Sequence, residues 1–168
     1  MIIRAFDLSF SYGDSVAALQ NISFEISAGE CVALTGHNGS GKSTLVKHLN
    51  GLLKPAVGKV WIDGNDTVTT NTATLAGHVA LLFQNPDDQI CKRTVWDEVA
   101  FGPKNLKYPK ERIERLVKEA LGLFELLSFK DKNPFDFGYI ERKRIAMASI
   151  VAMDTAVLVF DEPTAGLD

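Results

Sequence analysis

The N-terminal part of the chain alternates between apolar and polar positions, which is typical of strands with one wet face. In IIRAFDLSFSY, residues 2–12, most apolar positions share one parity. They are Ile2, Phe6, Leu8, Phe10 and Tyr12. NISFEIS at 21–27 repeats the alternation, and KVWIDGND at 59–66 indicates a strand that enters an Asp-Gly-Asn turn. The pattern therefore predicts antiparallel strands in this part.

Three shorter segments are almost wholly apolar, as strands buried on both faces are. They are CVALT at 31–35, VALLF at 79–83 and AVLVF at 156–160. Because Cys31 begins the first of them, we expect it to pack there as a small apolar residue.

Two helices are predicted in the C-terminal half. After Pro109, apolar residues recur at helical spacing from Ile113 to Leu127, and a second, more apolar helix runs from Glu141 to about Met153. Antiparallel strands followed by buried strands mixed with helices predict an α/β core with a small β-rich subdomain.

Composition narrows the class of protein. The 168 residues suffice for one domain with a hydrophobic core, and 46% apolar with 23% charged residues is ordinary for a globular protein. The formal charge of −3 argues against nucleic acid as a partner. No apolar run approaches the roughly 18 residues of a membrane span. The N-terminus also lacks the design of a signal peptide.

Cysteine and histidine usage indicates neither a disulfide framework nor a zinc site. Cys31 and Cys91 lie far apart, and His37, His48 and His78 show no ligand spacing. These features predict a reduced, cytosolic chain.

The segment GHNGSGKST at 36–44 matches the phosphate-loop pattern G-x-x-x-x-G-K-[ST], between a predicted strand and a predicted helix. Glycines let successive N–H groups turn toward an anion, and the helix adds its N-terminal dipole. Lys42 would reach the β- and γ-phosphates, and the Ser43 hydroxyl would coordinate Mg²⁺. The alternative is a Gly-rich turn that matches the phosphate-loop pattern by chance. The predicted strand before the segment and the predicted helix after it disfavour this alternative. The predicted nucleotide-binding residues are Gly36, His37, Asn38, Gly39, Ser40, Gly41, Lys42, Ser43 and Thr44.

The segment AVLVFDE at 156–162 supplies the acidic residues that a phosphate loop needs. An apolar strand that ends in Asp161 delivers a carboxylate toward the metal. Glu162 is placed to polarise the attacking water as a general base. Alone, such a pair is usually a solvated strand end, but together with the phosphate loop it predicts nucleotide hydrolysis.

These motifs, in this order, resemble the ATP-binding cassette family over essentially the whole chain. The resemblance implies one nucleotide-binding domain over 1–168, in which a mostly parallel P-loop NTPase sheet carries an antiparallel β subdomain and a helical subdomain over about 86–150. It places Tyr12 to stack on adenine, and Gln84 of LLFQNPDDQI to reach the metal and the attacking water. DEPTAGLD at 161–168 looks like the end of the family's second nucleotide motif plus the loop that crosses the dimer interface.

The stretches FQNPDDQI and TVWDEVAFGPKNL (94–106) are similar to the ATPase subunits of energy-coupling-factor importers, which take up vitamins or cobalt and nickel ions. The resemblance implies ATP and Mg²⁺ as ligands and a peripheral location on the cytoplasmic face of the membrane. It also implies three partners: a second cassette ATPase, more often a paralogue than a copy, a transmembrane coupling subunit, and a separate substrate-binding membrane protein.

The sequence departs from the family in two places. Where the family has Leu-Ser-Gly-Gly-Gln, this chain has Phe-Gly-Tyr-Ile-Glu at 137–141, which puts side chains and a negative charge where a partner's phosphate needs bare backbone. The cations at 142–144 could partly offset this charge, but three cations early in a helix more often form a solvated face, which is what we expect. The chain also ends at Asp168, so the family's later strands and switch histidine are expected to be missing.

Three functions remain open at this point. The first is the ATPase subunit of a membrane importer that works beside a complete paralogue. The second is a truncated, catalytically idle ATP-binding remnant. The third, a soluble cassette of DNA repair or translation, is disfavoured because the long coiled-coil insertion or second cassette of those proteins is not seen.

Overall fold

A computed structural model describes residues 2–13 and 17–163 of the chain. It divides into two units, residues 1–79 and residues 80–168, called here the N-terminal and C-terminal units. Within the described ranges, none of the helices combines the length and apolar content that crossing a bilayer requires.

The N-terminal unit contains four strands and two helices within its described residues. They are β1 (Ile3–Ser11), β2 (Ala17–Ile26), α1 (Lys42–Leu49), β3 (Val57–Ile62), β4 (Asn65–Asp66) and α2 (Thr72–Leu75). The strands form one sheet in the order β2-β1-β3-β4, and each neighbouring pair is antiparallel. The predicted Asp-Gly turn joins β3 to β4, with positive φ at Asp63 (47°) and Gly64 (79°), as a tight two-residue hairpin requires.

A β-bulge in β1 overturns the parity predicted for this strand. Ile3 and Ala5 face the core, at 2% and 3% exposure, whereas Phe6 is 51% exposed. Asp7 adopts a left-handed φ of 48°, and the pairing of β1 with β2 shifts between Ala5 and Leu8. The extra residue of a bulge moves the following side chains to the opposite face. Leu8 is therefore fully buried as predicted, whereas Phe10 is half-buried and Tyr12 is exposed.

The segment 31–35 is not the buried strand that its apolar composition predicts. It has no strand assignment, its residues are exposed, and Cys31 is exposed rather than packed. A strand exists through hydrogen bonds to a neighbouring strand, and no strand among the described residues pairs with this segment. Its apolar composition is therefore not matched by burial.

The C-terminal unit pairs two strands and packs three longer helices. Its elements are β5 (Val79–Leu82), which begins at the last residue of the N-terminal unit, α3 (Val95–Asn105), α4 (Lys110–Leu123), α5 (Tyr139–Val151) and β6 (Val157–Phe160). Both predicted helices are confirmed. Short 3₁₀ turns occur at Pro86–Asp88, Leu127–Phe129 and Pro134–Asp136.

The core of this unit lies between α3, α4 and α5. It is built from fully or almost fully buried side chains, among them Val95, Val99, Val117, Leu121, Ile145 and Ala148. Burying one such Val, Leu or Ile contributes about 1.5–3 kcal/mol. A second cluster joins Leu82 of β5 to Ala146 and Ile150 of α5, so the helix that follows the Phe-Gly-Tyr-Ile-Glu segment packs on the strand that leads to Gln84.

The strand β6 pairs with β5, but it is half-buried on one face and exposed on the other. Leu158 and Phe160 are 40% and 42% exposed, although the apolar run predicts burial on both sides. A two-stranded pair has a free edge and an open face unless another element covers it. The existence of the strand was therefore predictable, whereas its burial was not.

Candidate functional site

The phosphate loop leads directly into α1, as its motif predicts. Gly41 precedes the helix with a φ of 90°, and a Cβ on this residue would lie 2.6 Å from the backbone oxygen of Ala18. No described side chain caps α1, and its first turn carries no acidic residue. The first N–H groups of a helix have no intrahelical acceptor. This end of α1 therefore suits an anion such as phosphate.

The Lys42 ammonium lies over the loop that precedes it. Its Nζ donates hydrogen bonds to the backbone oxygens of Gly36 (2.9 Å) and His37 (3.1 Å). The His37 oxygen also accepts from the Ser40 amide, at 3.2 Å, which closes the loop on itself. Residues 36–40 are all exposed. A cation, glycines and an uncapped helix end thus occur together on an accessible surface.

Tyr12 lies beside the same loop. Its hydroxyl is 3.3 Å from Thr44 Oγ1, and its ring packs edge-on against Phe10 with 5.0 Å between centroids. The side chain is 51% exposed, so part of the ring is accessible for stacking. Its contact with adenine stays a prediction.

A buried histidine supports α1 from the core side. His48 is completely buried, and its Nδ1 lies 2.8 Å from the backbone oxygen of Thr44. Its ring contacts Phe10 edge-on, with 4.8 Å between centroids. Burial lowers the pKa of His48, since a charged imidazolium loses its hydration there, although backbone hydrogen bonds oppose the shift.

In the C-terminal unit, the ends of β5 and β6 bring the predicted catalytic side chains together. The Asp161 amide donates to the backbone oxygen of Leu82, at 3.2 Å. Gln84 Nε2 donates to Glu162 Oε2, at 2.7 Å. Two residues that are 78 positions apart in the chain are thus in direct contact, and their roles in catalysis stay predictions.

The segment Phe-Gly-Tyr-Ile-Glu opens α5, as its register predicts. Gly138 is the residue before the helix, with an extended backbone (φ −65°, ψ 171°), and Tyr139 is the first helical residue. Ile140 is 46% exposed. Glu141 lies in the first turn, where a carboxylate favours the positive end of the helix dipole.

The cations at 142–144 do not form the solvated face that was expected. Arg142 is ion-paired with Asp87, with 2.8 Å between Nε and Oδ1. Arg144 donates to the Phe124 backbone oxygen at 2.6 Å and pairs with Glu125. Lys143 is fully buried. These cations therefore bind residues that are distant in the sequence, and the pattern of charges along α5 does not reveal such contacts.

Sequence reasoning also missed two side chains that connect these loops to α5. Gln89 accepts from the Phe83 amide and donates to the Ala146 oxygen and to Ser149 Oγ, at 3.2, 3.1 and 2.9 Å. Lys143 donates to the backbone oxygen of Glu162, at 2.8 Å. The one feature of the sequence that could have indicated burial of Lys143 is its position beside the apolar residues of α5.

Two predicted stretches lie outside the described residues. One is residues 164–168 of the DEPTAGLD segment, and the other is residues 14–16 of the opening hairpin.

Comparison with known proteins agrees with these motifs. The sequence model of the ABC transporter family matches residues 19–165. The chain is 47% identical to the energy-coupling factor transporter ATP-binding protein EcfA of Methanocaldococcus jannaschii, over 99% of this chain and 61% of the relative. The chain thus spans about 60% of the length of that curated relative.

Two solved structures share the fold. One is CbiO1 from Clostridium perfringens, part of the ABC transporter complex CbiONQ, with a TM-score of 0.85 and 36% identity over 99% of this chain and 67% of that one. The other is a dimeric ATP-binding cassette in a post-hydrolysis state bound to ADP and Pi, with a TM-score of 0.86 and 27% identity over 99% of this chain and 76% of that one. The chain therefore belongs to the ABC transporter family and has the α/β P-loop fold of its ATPases.

Proposed function

We propose that this chain binds ATP and serves as an ATP-hydrolysing subunit of an importer of the energy-coupling-factor type. The observation that carries the proposal is the phosphate loop: an exposed Gly-rich turn, an uncapped helix end and the Lys42 ammonium occur together. The 47% identity to an archaeal EcfA supports the importer type. The similarity to CbiO1, a part of the ABC transporter complex CbiONQ, supports a transporter subunit. A small cargo of the vitamin or metal-ion class is part of the proposal through the resemblance to importers of this type.

In this proposal the N-terminal unit binds the nucleotide. Lys42 exchanges its bonds to the Gly36 and His37 oxygens for bonds to the β- and γ-phosphates, which are stronger because both partners are charged. The amides of residues 39–44 hold the phosphate oxygens, and the exposed part of the Tyr12 ring stacks on adenine. The hydroxyl of Ser43 is the first of the groups that hold Mg²⁺.

In the C-terminal unit, Asp161 and Gln84 carry the oxygen atoms that suit Mg²⁺. Mg²⁺ bound there would neutralise charge on the phosphates during transfer. Glu162 accepts the proton of the attacking water, and Gln84 orients the Glu162 carboxylate through their 2.7 Å hydrogen bond.

The partners in this proposal are a paralogous cassette ATPase with an intact Leu-Ser-Gly-Gly-Gln segment, a transmembrane coupling subunit and a separate substrate-binding membrane protein. Pairing with a paralogue is favoured over a homodimer because Tyr139 and Ile140 carry side chains where a partner's nucleotide would need bare backbone. The chain would then lie peripherally on the cytoplasmic face of the membrane.

Calorimetry with MgATP tests nucleotide binding. Lys42→Ala should weaken binding at least tenfold, since a hydrogen bond to a charged group contributes about 1.5–3 kcal/mol. Lys47→Ala, which removes a lysine later in the same helix, is the matched control and should bind as the unaltered chain does. Equal affinity of the unaltered chain and Lys42→Ala would refute the assignment of the phosphate loop.

Turnover separates the importer subunit from the idle remnant. We expect almost no phosphate release from the purified chain, and measurable release after mixing with a full-length paralogue that has an intact Leu-Ser-Gly-Gly-Gln segment. Glu162→Gln in this chain should abolish the gained activity. A mixture that stays as inactive as the separate proteins would favour the remnant.

A further inference from the structure

Lys143 is the most deeply buried charge-bearing side chain of α5. It is completely inaccessible to solvent, and its Nζ donates to the backbone oxygen of Glu162 at 2.8 Å. Burial lowers the pKa of Lys143, and the nearby Glu162 carboxylate acts in the opposite direction. A buried ammonium is unfavourable unless it is hydrogen-bonded or paired. Simple packing therefore does not account for a lysine at this position.

The backbone of Glu162 has an unusual conformation, which the hydrogen bond from Lys143 helps to maintain. Its φ is 49°, in the left-handed region that a residue with a Cβ seldom occupies. Such a conformation persists where the surroundings determine it by more than one contact. Here the Lys143 ammonium holds the carbonyl of Glu162, and Gln84 Nε2 holds its carboxylate at 2.7 Å.

A second side chain at the start of α5 reaches Gln84 rather than Glu162, and its contact is weaker. The Tyr139 hydroxyl lies 3.4 Å from the backbone oxygen of Gln84, which is long for an O–H donor. The Tyr139 ring centroid is 5.8 Å from Lys143 Nζ, near the outer limit of a cation–π contact. Of the two, Lys143 makes the short, charge-assisted bond.

We propose that Lys143 is a positioning residue that fixes the backbone of Glu162, so that the carboxylate points toward Gln84. The bond connects the second turn of α5 to the end of β6. It thereby links the helix that begins with the Phe-Gly-Tyr-Ile-Glu segment to the proposed general base of the same chain. The catalytic consequence rests on the proposed function, whereas the geometric consequence for Glu162 and Gln84 does not.

Selective ¹⁵N labelling of glutamine gives a direct measurement. The chain has three glutamines, Gln20, Gln84 and Gln89, so only three side-chain amide groups appear in the spectrum. Glu162→Ala marks the position of the Gln84 signal when its carboxylate acceptor is absent. Lys143→Met should move the signal most of the way to that position, because Glu162 no longer points at Gln84.

Two further variants separate positioning from general damage. Lys143→Arg keeps a cationic donor and should leave the Gln84 signal near its original position. Lys118→Met changes an exposed lysine on α4 and should also leave it unmoved. A Gln84 signal that does not move in Lys143→Met would overturn the proposal.

Folding is followed by circular dichroism in each variant. If Lys143→Met does not fold, Lys143→Leu takes its place, because leucine is also neutral, offers no hydrogen-bond donor and adds no glutamine signal; it should move the Gln84 signal at least halfway. Loss of folding in both neutral variants would make Lys143 a structural residue only, which also overturns the proposal.

Turnover in the mixture with the paralogue provides the functional measurement. Lys143→Met should lower kcat between about tenfold and a hundredfold, with KM for ATP nearly unchanged, since misplacement of a catalytic group by about 1 Å costs up to that much. If the Gln84 signal moves as expected but the unaltered chain shows no turnover in any mixture, the proposed function fails and the positioning role stands.

Discussion

Replacing Gly41 by alanine tests the geometry of the phosphate loop most directly. Gly41 has a φ of 90°, and an added Cβ would lie 2.6 Å from the backbone oxygen of Ala18 in β2. A left-handed conformation costs a residue with a Cβ roughly 1–2 kcal/mol. Because the close atom belongs to the backbone, the loop or β2 must also shift. We therefore expect Gly41→Ala to lower the free energy of unfolding by at least about 2 kcal/mol.

Two other glycines separate the contributions. Gly29 has a φ of 83° but no atom within 4 Å of an added Cβ, so Gly29→Ala should lose only the conformational part, about 1 kcal/mol. Gly122 lies in α4 without positive φ and without a close neighbour. Gly122→Ala should raise stability by up to about 1 kcal/mol, because alanine is the better helix former.

Urea denaturation followed by circular dichroism measures all three variants, and MgATP affinity is measured on those that fold. Thermal unfolding gives a second measure of stability. The melting temperature should fall by about 4–8 °C in Gly41→Ala, since a loss of 1 kcal/mol lowers it by about 2–4 °C for a chain of this size. ATP affinity should fall in Gly41→Ala and stay unchanged in Gly29→Ala. Equal losses of stability in Gly41→Ala and Gly29→Ala would show that the contact with Ala18 does not constrain the loop.

Two further predictions concern stability. The Thr94 hydroxyl caps α3 by accepting a hydrogen bond from the Asp97 amide at 3.0 Å. In urea titration, Thr94→Ala should lower the free energy of unfolding by about 1 kcal/mol, and Thr94→Ser should lower it by much less. Equal losses in the two variants would contradict the cap. Because the pKa of His48 is lowered from 6.5 in the folded chain, the unfolded chain binds the proton more readily, and stability should fall as the pH drops below about 6.5. His48→Gln should remove that part of the pH dependence between about pH 7 and pH 5, and an unaltered slope would count against a buried neutral imidazole.

The sequence by itself determined the elements whose signals are local. The phosphate loop and α1 were predictable because glycine spacing, a lysine and the following helix lie within a few residues of each other. The helices α4 and α5 were predictable from apolar spacing, and the β3–β4 turn from an Asp-Gly pair that tolerates positive φ.

A role at the attacking water for both Gln84 and Glu162 was predictable only with the help of the resemblance to a family, and their direct hydrogen bond was not predicted. The two residues lie 78 positions apart, and no local pattern connects them. Their roles in catalysis stay predictions, although the structure places the two side chains in hydrogen-bond contact.

Only the tertiary structure decided which apolar residues are buried and which charges are used. The bulge at Asp7 reverses the parity within β1, so Phe6 is exposed although Leu8 is buried. Residues 31–35 stayed exposed because no described strand pairs with them. Lys143 became the buried partner of the Glu162 carbonyl although its neighbours in sequence suggested a solvated face. Burial depends on which elements of the chain meet across long sequence separations, and the periodicity of one segment carries no information about its distant neighbours.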